Sequence, residues 1–410
     1  MIDYAVTGPS PYVSLWALDP DVAMLNHGSF GACPKEILQC QRAWQDQLEA
    51  EPVRFLTRDY PKFLDLSRAK LAKEVGTAPE NLAMVPNVTF AVNSVVRSKK
   101  FQPGDELLTF SHDYHACRNI FRFAAEQWGA KVVVADIPFP IHSPDEVIDA
   151  VMRCVTPKTR LAMLDHITSP TALILPVERL VPMLEEKGVE VLVDGSHSLG
   201  SLPLDLDTLG ASYYTSNAHK WLCTPKGSGF LYIRPDRQTS SYGTDRIHPA
   251  VISHGYDTVG EGRPRLFDEF DWIGTIDPSP WLTIGEAIDF FERRFGGILE
   301  VADHNHRLAC AARQRICERL GVEPPCPESM FGATATIPLP DDAPEGDLEK
   351  PSAMAHISPL QSELLNRYGI EVPVIYWPAP PHRMVRISAH LYNDLSQYER
   401  LADALMELLQ

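Results

Sequence analysis

LVPMLEEKGVEVLVDGSHSLG, Leu180 to Gly200, is the stretch on which the fold turns. Its first half belongs to an amphipathic run, Val177 to Lys187, that reads as a helix. Gly188 ends it, because glycine enters the left-handed conformation that closes a helix without steric cost. Val189 to Val193 then reads as an apolar strand, and Asp194 closes it, followed by Gly195, Ser196 and His197. Working outward, the alternation repeats. Glu106 to Phe110, Lys131 to Ala135 and Arg160 to Leu164 read as strands, and Cys117 to Trp128 and Pro144 to Cys154 as helices. Strand and helix in alternation imply an α/β fold with a mainly parallel sheet covered on both faces. Ligands of such sheets lie beyond the carboxyl ends of the strands, which directs attention to Asp194 and to whatever follows its neighbours.

From about Pro280 the character changes. Trp281 to Phe295 and Ile298 to Leu320 read as long helices, Thr334 to Pro338 and Val385 to Ser388 as strands, and Leu395 to Leu409 as a closing helix. The expected organisation is an N-terminal arm over 1–20, a large α/β domain over 21–280 and a smaller α+β domain over 281–410. Leu339 to Ser352, LPDDAPEGDLEKPS, is acidic, Pro-rich and poor in apolar residues, and is expected to be a mobile surface loop.

Composition narrows the function classes. Of 410 residues, 44% are hydrophobic and 22% charged, enough for a substantial core. No apolar run approaches the ~18 residues of a membrane helix. Met1 to Pro20 carries no Lys or Arg, and Pro9 and Pro11 interrupt it, so it does not read as a signal sequence. A cytoplasmic protein without a membrane partner is expected. The net charge of −17 repels nucleic acid on average, yet leaves room for a local pocket that takes one phosphate. The eight cysteines show neither a CxxC pair nor zinc-like spacing, so they read as reduced packing thiols with no metal site.

Three places can carry chemistry. Asp194, at the mouth of a parallel sheet, would keep a pyridine nitrogen protonated and turn the ring into an electron sink; its plain alternative is a helix cap. Tyr213 to Thr215 reads as a short strand, and Ser216, Asn217, Ala218, His219, Lys220 and Trp221 follow it. An amine tucked between His and Trp suits a nucleophile that must be partly desolvated, whereas a surface lysine beside a core tryptophan is the plain reading. The pairing of Lys220 with Asp194, and the glycine-rich Lys226 to Gly229 before a strand at Phe230 to Ile233, favour the first. Asn87, Val88 and Thr89 precede a helix-like run, Phe90 to Val96, so backbone N–H groups there suit a phosphate; an ordinary cap is the alternative.

In combination these segments resemble the class V aminotransferase-like, fold-type I pyridoxal-5′-phosphate (PLP) enzymes, and within them the isopenicillin N epimerase-like subgroup. The resemblance runs through LNHGSFGACP (Leu25 to Pro34), PNVTFAVN (Pro86 to Asn93), HITSPTALILP (His166 to Pro176), VDGSHSLG (Val193 to Gly200), SNAHKWLCTPKGSGFLY (Ser216 to Tyr232), GTIDPSPWL (Gly274 to Leu282) and VRISAHLYN (Val385 to Asn393). The resemblance implies that Lys220 is the imine-forming lysine and Asp194 the partner of the pyridine nitrogen. It places His197 on the ring hydroxyl, His115 stacked on the ring, and Val88, Thr89, Asn217 and His219 at the phosphate. Gly274 and Thr275 fall in a segment that reaches the phosphate of a neighbouring subunit, implying a homodimer with shared sites. Arg386 matches the arginine that grips the substrate carboxylate, as the two-donor guanidinium fork suits, with Asn26 a further candidate for that pocket. Ser169 stands where related desulfurases carry Asn, and the resemblance counts it among the cofactor-binding residues. His27, His112 and His166 read as packing or loop residues, and Trp221, Trp272, Trp281 and Trp377 as core or interface.

The resemblance leaves the reaction open among epimerisation, β-elimination and transamination at an amino-acid α-carbon, which share their first step. Epimerisation needs a second acid facing Lys220, for which Tyr114 and His115 are the candidates. Desulfuration ranks last, since it needs a mobile cysteine near the C-terminal domain and none follows Cys326. The subgroup favours an epimerase; a C–S lyase on a cysteine conjugate, of the ergothioneine-pathway type, is the alternative, an aminotransferase a third. A catalytically dead binding module is the reading from another class, and the joint presence of lysine, aspartate and arginine speaks against it.

Overall fold

The computed structural model describes residues 8–238, 246–257, 262–342 and 357–410. A two-residue strand, β1 (Ala23–Met24), precedes seven that form one sheet: β2 (Leu82–Val85), β3 (Glu106–Phe110), β4 (Lys131–Ala135), β5 (Thr159–Asp165), β6 (Glu190–Asp194), β7 (Tyr213–Asn217) and β8 (Gly229–Ile233). Their order is β2-β8-β7-β6-β5-β3-β4, so the strand quoted at the outset lies in the middle. From β7 to β4 all pairings are parallel; β8 runs antiparallel to both β7 and β2.

Burial on both faces explains the apolar strands. Val191 and Val193 point into one core and Leu192 into the other, as the two-residue strand period requires. The register sets Asp165 and Asp194, at the carboxyl ends of β5 and β6, in one row with Thr215 midway along β7. No helix begins at Asp194, which removes the cap alternative; the chain turns there instead.

The later segment holds β9 (Thr334–Leu339), β10 (Ile370–Glu371), β11 (Val374–Tyr376) and β12 (Arg383–Ser388). A three-stranded antiparallel sheet, β11-β12-β9, packs with the helix Ile298–Leu320, which also rests on Leu395–Leu408. β1 pairs in parallel with β10, Ala23 opposite Ile370 and Met24 opposite Glu371, so the start of the chain is sewn to its last third.

Two expectations are revised. The helix expected over Trp281 to Phe295 is two, Ser279–Leu282 and Ile284–Phe295. The cause is Ser67, whose hydroxyl donates to the Trp281 carbonyl at 2.7 Å and accepts from the Gly285 N–H at 3.3 Å, entering the ladder where those two groups would pair. Of the expected loop Leu339 to Ser352, Leu339 ends β9 and Asp342 is fixed by its N–H to the Pro381 carbonyl and its carboxylate to Arg383; 343–352 lie outside the described residues. Among the described residues no helix is long and apolar enough to cross a membrane.

Candidate active site

Asp194 is 2% exposed at the end of β6. Its Oδ1 accepts from the Ser196 N–H at 2.9 Å and the Ser196 hydroxyl at 2.5 Å, and its Oδ2 from the Cys117 thiol at 3.4 Å. Burial first, then the Asp194 charge, hold that thiol far above its ordinary range, so Cys117 remains a neutral donor. Sequence reading missed Cys117, because a lone cysteine on a helix face carries no pattern.

Lys220 follows β7 in a tight turn in which the Ala218 N–H reaches the Ser228 carbonyl and Cys223 takes a left-handed backbone, φ 58°. Its Nζ lies 3.1 Å from Nε2 of His197. Burial lowers its pKa to about 8, against the opposing pull of Asp194. Behind it, the Nε2–H of His27 donates to the Lys220 carbonyl at 2.9 Å and Tyr392 bonds Nδ1 of His27 at 2.8 Å. His27 is therefore a packing residue that grips the backbone of the lysine.

Arg386, on β12, is buried with its pKa lowered to about 10 by burial, an effect that Tyr114 partly offsets. Nη1 donates to the Ser169 carbonyl and hydroxyl, Nη2 to the Ser29 hydroxyl at 3.0 Å, and Nε has no hydrogen-bond partner among the described residues. Ser169, expected beside the cofactor, thus stands on the guanidinium. Asn26 is one step removed: its Oδ1 accepts from Ser29 at 2.5 Å and its Nδ2 donates to Glu371. A buried guanidinium with an idle donor is suited to an incoming carboxylate.

The helix Val88–Ser98 opens beside this row. Asn87 caps it through Phe90, and Asn217 accepts the Val88 N–H at 3.1 Å, so that donor is spoken for. Thr89, exposed in the first turn, and the Asn217 amide remain for an anion. His219 donates from Nδ1 to the Ser228 carbonyl at 2.9 Å, and burial lowers its pKa to about 4. Its Nε2 then carries a lone pair, so it could meet a phosphate only by accepting from a P–OH or by taking up a proton. Tyr114, 47% exposed, and His115 stand at the start of the helix His115–Trp128. Burial raises the Tyr114 pKa, and its phenol is near enough to Arg386 for the two charges to couple.

Gly274 and Thr275 lie in an irregular segment, and among the described residues no hydrogen bond joins them to the Lys220 cluster. Cys326 is buried, with Arg313 donating to its carbonyl at 2.8 Å and its sulfur at 3.5 Å. That anchoring does not suit a swinging nucleophile. His112 bonds Thr171 and the Ile137 carbonyl, His166 bonds Tyr214, and Trp281 donates to the Val85 carbonyl, all as packing residues. Trp377 packs on His112, ring centroids 4.2 Å apart and planes tilted by 55°. The buried group His27, Cys223 and His390 offers three metal-type ligand atoms, but the two imidazoles stack at 4.2 Å and 21°, and one ion cannot lie in both ring planes.

The cluster therefore brings together a lysine of lowered pKa, an imidazole against its amine, and, within electrostatic reach of that amine, a buried carboxylate held by three donors and a buried guanidinium. Residues 53–337 match the family described as aminotransferase class-V. The chain is 34% identical to an isopenicillin N epimerase of Amycolatopsis lactamdurans, over 96% of each sequence. It is 30% identical to a probable chloroplastic L-cysteine desulfhydrase of Arabidopsis thaliana, over 96% of this chain and 84% of that one. Its fold is similar to that of a cystine C–S lyase solved with cysteine persulfide, with a TM-score of 0.74 at 20% identity, over 94% of this chain and 97% of that one.

Proposed function

Since the chain belongs to the class-V aminotransferase family, a family of pyridoxal-phosphate enzymes, we propose that it works at the α-carbon of an amino-acid substrate, with Lys220 as covalent anchor and proton-carrying base. The observation that carries this is the Lys220 amine, of pKa about 8, in one site with Asp194 and Arg386. When bound, the cofactor supplies an aldehyde that condenses with amines and a protonated ring that accepts electrons from Cα.

The residues present fit that group. The three donors on Asp194 keep it an acceptor for a protonated ring nitrogen, and Thr89, Asn217 and His219 offer a polar end for a phosphate. Arg386 would take the substrate carboxylate with Ser29 and Ser169 flanking the guanidinium, which orients Cα–H toward Lys220. With its pKa lowered to about 8, Lys220 reaches its free-base form just above neutral pH, and in that form it is fit to remove that proton. His115 would cover the open face. Gly274 and Thr275, which no hydrogen bond among the described residues ties to the Lys220 cluster, suit the site of a second copy in a homodimer.

For the reaction we favour epimerisation, in which a second acid returns the proton to the opposite face. Tyr114 is the candidate, since burial keeps its phenol protonated and it lies near the carboxylate grip. Elimination of a thiol from a cysteine-like substrate is the second reading; it needs Lys220 alone as base, and similarity to the desulfhydrase favours it. The test is to offer the yellow enzyme L-amino acids and L-cysteine conjugates. Loss of optical rotation with solvent deuterium at Cα supports the epimerase, pyruvate with a released thiol the lyase, and a keto acid an aminotransferase. A colourless protein that takes up no pyridoxal phosphate ends the proposal.

A further inference from the structure

The indole N–H of Trp221 is a donor and nothing else, and it meets Nδ1 of His197 at 3.5 Å. Neutral imidazole carries one N–H, so an accepting Nδ1 puts the proton on Nε2. The doubly protonated ring is not available: burial, reinforced by Lys220, Arg386 and His27, holds His197 far below its ordinary range. The Nε2–H therefore faces the Lys220 amine at 3.1 Å, which accepts it as a free base.

Trp221 is itself held by residues from two distant parts of the chain. It is 2% exposed, its ring lies 4.8 Å from that of His27 and 6.2 Å from that of His390, and those imidazoles stack at 4.2 Å. Nε2 of His390 lies 3.4 Å from the Cys223 sulfur, and the Cys223 thiol donates to the Trp221 carbonyl at 3.5 Å, which gives the buried trio a purpose without a metal. The stack leaves the indole one orientation, with its N–H on His197.

We propose that Trp221 is a positioning residue that fixes His197 as the Nε2–H tautomer, so that His197 is an obligatory donor to the phenolic oxygen of pyridoxal phosphate when the Lys220 amine is covalently engaged. This rests on the function proposed above. A donor on that oxygen favours its anionic form, so losing it makes the chromophore hold its proton to higher pH.

The experiment is a pH titration of the visible absorption band of holoenzyme carrying Trp221→Phe, which keeps an aromatic ring and removes the N–H. The midpoint should rise by about one pH unit, as expected for one hydrogen bond to a charged group. In a His197→Gln background, where a fixed amide donor makes the tautomer irrelevant, Trp221→Phe should leave the midpoint in place. An unchanged midpoint in the single variant, or an equal shift in both backgrounds, overturns the proposal. Histidine-selective ¹⁵N spectra of the unloaded protein test the tautomer apart from the function: an Nδ1 of His197 bearing hydrogen overturns the assignment, and one without hydrogen in a protein that takes up no pyridoxal phosphate supports it while ending the functional reading.

Discussion

The lowered pKa of Lys220 has a direct kinetic sign. Only the free base attacks an aldehyde, so the rate at which the unloaded protein takes up pyridoxal phosphate should climb with pH through an apparent pKa of about 8, and an inflection near that of an ordinary lysine would contradict the burial argument. Lys220→Ala should abolish the covalently attached visible band and cut turnover by about 10³-fold or more, read by borohydride trapping and steady-state assay. Arg386→Ala should raise KM by about 10- to 100-fold while the cofactor stays bound, since it removes charge-assisted bonds to the substrate alone; loss of the cofactor in that variant would reassign the arginine. Lys220, Asp194 and Arg386 were legible because each is a polar residue placed at a strand end or alone within an apolar strand. Cys117 was not, nor was His27, which acts on a backbone carbonyl 193 residues away that no local pattern encodes.

Among the elements, the strands of the large sheet were readable because burial on both faces forces continuous apolar runs. β1 and β10 were not, since two-residue strands carry no periodicity and pair across most of the chain. The break at Thr283 was equally hidden, because its cause, Ser67, belongs to another helix. Gly31 shows how tightly elements meet at the lysine. Its φ is 71°, and a Cβ there would run into the carbonyls of His219 and Lys220. Gly31→Ala should therefore cost about 1–3 kcal/mol and loosen cofactor retention together, seen as a lower Tm and faster loss of colour on dialysis; a stable variant that keeps its colour would show that the turn has room to give.

For the whole molecule, the proposed dimer predicts complementation. Lys220→Ala subunits mixed with Thr275→Trp subunits should regain up to about one quarter of wild-type activity, because half of a random mixture is heterodimer and each heterodimer holds one intact site. Monomers in sedimentation, or no rescue, would confine the site to one chain. The overall plan was the most legible level, since alternation of strand and helix dictates the sheet; the meeting of the first thirty residues with the last forty was not. That meeting has its own consequence. One turn of helix, His27–Phe30, touches the Lys220 carbonyl through His27 and Arg386 through Ser29. The molecule thus carries a ruler of fixed length between its amine and its carboxylate clamp, and amino acids whose carboxyl group sits one carbon further from the nitrogen should be turned away by measurement rather than by taste for their side chains.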